Sequence, residues 1–325
     1  MTLDVDRSVD SSFAETFEAI RDNVATVIRG KDDVIEFLVL ALVSEGHVLV
    51  EDVPGVGKTT LAKSLASSIS CTFGRIQFTP DLLPADVVGV SVWNRETAAF
   101  EFRPGPIFAG LVLADEINRA SPKTQSALLE AMAERQVTVD GRTHRLGRPF
   151  MVIATQNPIE HEGTYPLPES QLDRFFMKIS VGYPDREAEL AVLESGGSHE
   201  LADELEPVVD VPGLLDMIET ARSVYFSDAL RRYLVDIADA TRRDPRLVLG
   251  MSPRATVALQ AASRARAASR GRAFVTPDDV KELLTPVVAH RLILTPEAQL
   301  QGLTAEDVLT EIVLDTPVPR GEASL

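Results

Sequence analysis

Residues 51–60 read EDVPGVGKTT, preceded by HVLV, which alternates like a strand, and followed by LAKSLA with helical spacing. A glycine-rich loop between a strand and a helix is an arrangement that cradles phosphates, so it fixes both a strand–loop–helix unit and a class of ligand. Backbone N–H groups around Pro54, Gly55, Val56 and Gly57 would wrap the phosphates, with glycine at 55 and 57 because a Cβ there would block close approach. Lys58 would reach the outer phosphates of a nucleoside triphosphate, the Thr59 hydroxyl would ligate Mg²⁺, and Thr60 closes the binding segment. The full pattern GxxxxGK[ST] asks for glycine where this chain has Asp52, so only Gly57-Lys58-Thr59 is matched. A Gly-Lys-Thr turn at a helix start is the alternative.

Flanking this loop, Val34 to Val181 alternates short apolar runs with helical stretches, and HVLV, RIQF, LVLA, MVIAT and MKISV are five candidate strands. The pattern predicts a three-layer α/β domain with a largely parallel sheet. VWNRETAAFEF and VTVDGRTHRL alternate around turn residues and read as inserted hairpins, the second anchored by Asp140-Gly141. After Tyr183-Pro184 the strands stop. An acidic tract, ESGGSHELADELEPVVDVP, then leads into amphipathic helices whose starts are legible at Ser252-Pro253 and Thr276-Pro277-Asp278-Asp279. Residues 1–183 are therefore expected to form the core domain and 184–325 a smaller helical domain. Between 262 and 273, ASRARAASRGRA concentrates four arginines without interleaved aromatics, so a solvated face, dipole compensation or a subunit contact outweighs a nucleic-acid patch.

With 325 residues, 45% of them hydrophobic, the chain can bury a substantial core. Its net charge of −17 argues against broad adhesion to nucleic acid or anionic membrane and favours protein partners. Cys71 is the only cysteine, MTLDVDRSVD has neither a basic start nor an apolar segment after it, and the longest apolar stretch, Val34 to Val43, is interrupted by Glu36. Cytoplasmic location without membrane insertion is the expectation. The five histidines (47, 144, 161, 199, 290) have no ligand spacing.

Further chemistry clusters at predicted strand ends. LVLADE is an apolar strand ending in two carboxylates, which a buried strand carries when its end opens on a polar site. The stretch resembles a Walker B strand, in which Asp115 would hold the Mg²⁺ shell and Glu116 would orient or deprotonate water, an acidic surface turn being the alternative. MVIATQNP sets Asn157 at another strand tip, where it could hold the lytic water or the γ-phosphate, although Asn-Pro alone is usually a turn. Arg174, in LPESQLDRFF, suits presentation to a neighbouring subunit's nucleotide, and a local ion pair with Glu169 or Asp173 is the equal alternative. Arg254, in GMSPRA, opposes the dipole at a helix start, so an anionic partner is expected there, phosphate or carboxylate.

With EDVPGVGKTT, LVLADEINRA, ATQNP, LPESQLDRF and GMSPRA in this order, the sequence resembles the MoxR family of AAA+ ATPases over nearly its full length. The resemblance implies a P-loop core with parallel sheet order 5-1-4-3-2, an all-helical lid, and a homo-oligomeric ring, commonly a hexamer, with ATP between subunits. It implies Lys58, Thr59, Asp115 and Glu116 as the nucleotide and Mg²⁺ residues, Asn157 and Arg254 as sensors, and Arg174 as the finger. Inserted loops near 85–103 and 136–148 would face the pore. An adenine contact would fall near Val27 to Gly30. The family is associated with chaperone-like maturation or metal insertion in partner complexes, often with von Willebrand factor A domain proteins. A helicase-like nucleic-acid motor remains the alternative, favoured by the hairpin tip Arg142, His144, Arg145 and opposed by the net charge. A nucleotide-gated scaffold is opposed by intact Glu116 and Arg174.

Overall fold

The computed structural model describes residues 11–158, 163–184, 186–187, 189–190 and 202–319. In chain order the strands are β1 (Val48–Glu51), β2 (Phe73–Gln77), β3 (Gly89–Asn94), β4 (Ala99–Pro104), β5 (Leu111–Asp115), β6 (Gln136–Val139), β7 (Arg142–Arg145), β8 (Met151–Gln156), β9 (Met177–Ile179), β10 (Leu247–Leu249) and β11 (Ile293–Leu294). The five expected apolar runs form one parallel sheet in the order β2-β5-β8-β1-β9. Counting only those five along the chain, this is the expected 5-1-4-3-2 read from the opposite edge. β5, β8 and β1 lie inside the sheet with their apolar residues buried, which is why they read as continuous apolar runs. The edge strand β2 keeps polar Arg75 and Gln77 on either side of buried Ile76.

Both predicted hairpins are present, β3 with β4 and β6 with β7. Asp140 and Gly141 have φ of +50° and +74°, the positive pair that a tight hairpin turn needs and that Asp-Gly accommodates at low cost. Phe102 of β4 stacks on His144 of β7 with ring centroids 3.9 Å apart, so the two hairpins are joined. His144, one of the three basic residues at that tip, is thus partly committed to an aromatic contact within the chain.

Helices α1 (Ser11–Ala25), α2 (Asp32–Val43), α3 (Lys58–Ser68), α4 (Pro84–Val88), α5 (Pro122–Glu134) and α6 (Glu169–Leu172) surround the sheet. Val27 to Gly30 forms the turn joining α1 to α2, with Val27 and Ile28 buried and Gly30 at φ +68°. Beyond the sheet the described chain is helical apart from the antiparallel pair β10 and β11, with α7 (Val211–Ser223), α8 (Asp228–Arg243), α9 (Pro253–Ser269), α10 (Pro277–Val288), α11 (Pro296–Leu300) and α12 (Ala305–Asp315). The first part of the acidic tract, 194–201, lies outside the described residues. Ser252 caps α9 by accepting from Ala255 N–H at 3.0 Å, and Asp279 closes the start of α10 by accepting from Thr276 N–H at 2.8 Å. No described helix is long and apolar enough to cross a membrane.

Two apolar clusters flank the sheet. One joins Leu49, Val112 and Val152 to Leu128 of α5 and to Phe175. The other runs from Phe17 and Leu38 through Val48, Val50 and Ile153 into Leu259 and Leu283 of the C-terminal helices, so the helical part shares a core with one sheet face. One cation of the arginine-rich stretch crosses this junction, and two more pair within the helical part. Arg266 is buried and pairs with Glu36 of α2, Arg270 pairs with Glu282, and Arg272 pairs with Asp279. Three of those four cations therefore hold the fold together.

The junction has a second anchor at Glu45, in the turn between α2 and β1. Its side chain is 2% exposed and accepts from Arg135 at 2.7 Å, from Arg148 at 2.8 and 3.0 Å, and from Arg222 of α7. Burial alone would raise its carboxyl, but hydrogen bonds from Arg148 and Arg135 bring it below the usual range. Arg135 and Arg148 bracket the second hairpin, so one carboxylate ties that hairpin's base to the sheet and to α7. Nearby His47 is buried, accepts Val152 N–H at Nδ1 (3.0 Å) and turns Nε2 to the Met132 carbonyl (3.2 Å). Burial holds it down at about 4.

Candidate functional site

β1 ends at Glu51, and the loop that follows turns into α3 at Lys58, with Gly55 and Gly57 both at φ +85°. That conformation is the local reason for glycine, because a Cβ at either position meets no protein atom within 4 Å. The space in front of the loop is open, as a cradle for an external group must be. Pro54 and Gly55 are exposed, Val56 packs on the core, Thr59 is half-buried and Thr60 is buried. Lys58 Nζ donates to the carbonyls of Asp52 (3.1 Å) and Val53 (2.9 Å).

Asp52 explains the missing first glycine. Its carboxylate accepts from Val53 N–H (2.9 Å), Ser180 Oγ (3.1 Å) and Gly182 N–H (2.5 Å). It staples the start of the loop to the chain leaving β9, a task glycine cannot perform.

The strand tips on this side form a polar row. Asp115 Oδ1 accepts from Thr155 Oγ1 at 2.7 Å and Oδ2 from Arg75 at 2.8 Å. Glu116 sits at φ +56°, a left-handed conformation that costs a non-glycine residue about 1–3 kcal/mol and that tends to gather at functional sites. Its N–H donates to Thr155 Oγ1 (2.8 Å), and its carboxylate accepts from Gln77 (2.9 Å) with Arg119 at 3.4 Å. Farther along the row, Glu51 accepts from Gln156 (2.5 Å) and Lys178 (2.7 Å). Asn157, just past β8, is buried, and its carbonyl lies 3.5 Å from Asn118 Nδ2.

Thr155, Arg75 and Gln77 escaped the sequence reading. The sheet register places Gln77 opposite Asp115 and sets Thr155 one residue beyond the Ala114–Ala154 pair. A threonine ending an apolar strand, and Arg and Gln alternating in RIQF, were the available signals.

Arg174 does not make the local ion pair. It donates to the Leu129 carbonyl at 3.1 Å and lines a cleft of about 510 Å³ with Ser126, Glu130, Glu134, Gln136 and Gln171. Asp173 turns the other way, accepting from Ser252 Oγ (2.8 Å), Arg254 (3.1 Å) and Arg291 (3.1 Å). Arg254 thus has its anionic partner, a carboxylate, in this structure. Arg291 is buried, donates also to the Phe175 carbonyl at 2.6 Å, and is pulled down to about 10 by that burial. Its neighbour His290 is held at about 3 by burial and then by the Arg291 charge.

The family model for ATPases associated with various cellular activities (AAA) matches residues 47–177, and the AAA lid domain model matches 239–312. The chain is 49% identical to Bacillus subtilis YeaC, over 92% of this chain and 93% of that one. It is 41% identical to Chaperone MoxR1 of Mycobacterium tuberculosis, over 95% of this chain and 84% of that one. A Cytophaga hutchinsonii crystal structure described as an ATPase superposes with a TM-score of 0.88 at 35% identity, covering 95% of this chain and 97% of that one.

Proposed function

Because the chain belongs to the MoxR family of AAA+ ATPases, we propose that it is a ring-forming, ATP-driven remodelling chaperone with its nucleotide sites between neighbouring subunits. It is an ATP hydrolase. The observation that carries the finer reading is the shared end of the sheet: the open phosphate loop leaves β1 there, and Asp115 and Glu116 stand two strands away, roughly 10 Å across.

In this reading the amides of residues 54–57 and Lys58 hold the phosphates, with Thr60 behind them. Lys58 exchanges two neutral carbonyls for charged oxygens, a stronger bond. Thr59 and Asp115 offer the hard oxygen donors suited to magnesium, which supplies neutralisation of the phosphate oxygens when bound. Glu116 orients or deprotonates the attacking water, and Asn157 at the next strand tip fixes the water or the γ-phosphate. Arg174 reaches the ATP of the adjacent subunit, and Arg254 swaps Asp173 for phosphate, so nucleotide state biases the helical lid against the core.

The joined hairpins would carry that motion to a client. Proteins with von Willebrand factor A domains, or complexes awaiting maturation or metal insertion, are the clients we favour, with a cytoplasmic hexamer as the working assembly. The name Chaperone MoxR1 supports the class of activity. The net charge of −17 and the His144–Phe102 stack weigh against a nucleic-acid motor.

Subunit mixing tests the shared site. Lys58→Ala and Arg174→Ala proteins should each be nearly inactive, and mixing them should restore turnover at interfaces that pair an intact loop with an intact Arg174. No recovery after verified subunit exchange would confine Arg174 to its own subunit and sink the intersubunit reading. Capture of clients on the ATP-locked Glu116→Gln ring, with and without nuclease, separates protein from nucleic-acid partners.

A further inference from the structure

The aspartate read as the metal residue already has a cation on it. Arg75, on the edge strand β2, donates to Asp115 Oδ2 at 2.8 Å and to Gln77 Oε1 at 3.0 Å, while the Thr155 hydroxyl takes Asp115 Oδ1. Asp115 is 13% exposed and followed directly by a second carboxylate, Glu116, so an unneutralised pair at the strand tip would be strained by like charge. The side chain of Arg75 is 48% exposed on the outermost strand, so it can leave Asp115 for water without unpacking the core.

We propose that Arg75 is a resident counter-ion that occupies Asp115 when the metal is absent and competes with a divalent cation for it, setting the metal concentration at which the site fills. This rests on the reading of Asp115 as a metal residue. A guanidinium and a dication against one carboxylate oxygen repel each other at close range, so binding of the metal near Oδ2 favours release of Arg75. Arg75 is a positioning residue: it tunes the metal site without touching nucleotide. Among the described residues the other arginine near this pair, Arg119, lies on the Glu116 side at 3.4 Å and leaves Asp115 to Arg75.

The test is a Mn²⁺ titration followed by electron paramagnetic resonance on the full-length protein holding a non-hydrolysable ATP analogue. Binding of a fluorescent ATP analogue in EDTA reports folding and loop integrity. Arg75→Gln should tighten Mn²⁺ by about five- to tenfold with metal-free nucleotide binding unchanged, and Arg75→Lys, which keeps the charge, should stay within about twofold of wild type. Unchanged or weaker Mn²⁺ binding in Arg75→Gln overturns the proposal, as does an equal gain in Arg75→Lys. Asp115→Asn separates the two readings. It should weaken Mn²⁺ and abolish the effect of Arg75→Gln in the double variant. If Asp115→Asn leaves Mn²⁺ affinity intact, the assignment of Asp115 fails first.

Discussion

Cations read as meeting nucleotide and cations at the junction between sheet and helical lid are held in opposite ways. Lys58 rests on two carbonyls of its own loop and Arg174 on the Leu129 carbonyl. At the junction, Glu45 gathers three arginines and Asp173 takes Arg254, Arg291 and Ser252. A neutral carbonyl gives way readily to a phosphate oxygen, whereas a buried carboxylate stripped of its cations leaves charge unpaired. The first arrangement suits groups meant for an external anion, and the second suits cohesion. Arg254 belongs to both, being paired with Asp173 yet 56% exposed at a helix start.

The largest expected effect breaks the comparison if it fails. Arg174→Ala should lower ATP turnover by about 10³- to 10⁵-fold while nucleotide affinity and melting temperature stay near wild type. A fall in melting temperature with modest loss of turnover would move Arg174 into the cohesive class.

These differences also mark what the sequence could disclose. Gly57-Lys58-Thr59 and Asp115-Glu116 were legible because each set is contiguous and punctuates an apolar run. Thr155 and Arg75 were not, since their place beside Asp115 is created by sheet register across 40 residues in either direction. Glu45 was invisible for the same reason, its arginines arriving from 90, 103 and 177 residues away. Arg266, Arg270 and Arg272 looked like surface features because their carboxylates come from α2 and α10, which only folding brings near. Asp52 read as a defect in the loop because its partners, Ser180 and Gly182, lie beyond another strand.

Acid should loosen the cohesive region next. In the unfolded chain His47 and His290 take up protons near their ordinary 6.5, but the folded chain refuses them until about 4 and about 3. The unfolded state therefore binds more protons between those limits, so stability is full above the unfolded value and falls as pH drops. Each histidine should cost roughly 2 kcal/mol between about pH 7.5 and pH 5. Urea unfolding across that range checks it, and a flat profile would mean that these imidazoles are not buried neutral.

Glu45→Gln probes the arginine cluster directly. Because the three guanidinia are 37–53% exposed and can turn to water, the loss should be roughly 1–3 kcal/mol rather than that of a sealed ion pair. Denaturant midpoint reads the stability, and ATP binding should survive. Lost binding with an unmoved midpoint would make Glu45 part of the nucleotide machinery.

The smallest effect falls where the two regions meet. Asp52 lies inside the phosphate loop but is held like a junction residue, by Val53 N–H, Ser180 and Gly182 N–H. Asp52→Ala leaves those donors without their acceptor and should cost roughly 1–2 kcal/mol, a melting shift of a few degrees. The backbone carbonyl that receives Lys58 is unchanged by the substitution, so affinity for ATP should move by less than about threefold, or under ~0.7 kcal/mol. Calorimetry of both unfolding and nucleotide binding separates the outcomes. A collapse in ATP affinity with the melting temperature held would mean that the Asp52 carboxylate serves nucleotide binding, and its links to Ser180 and Gly182 would no longer count as cohesion alone.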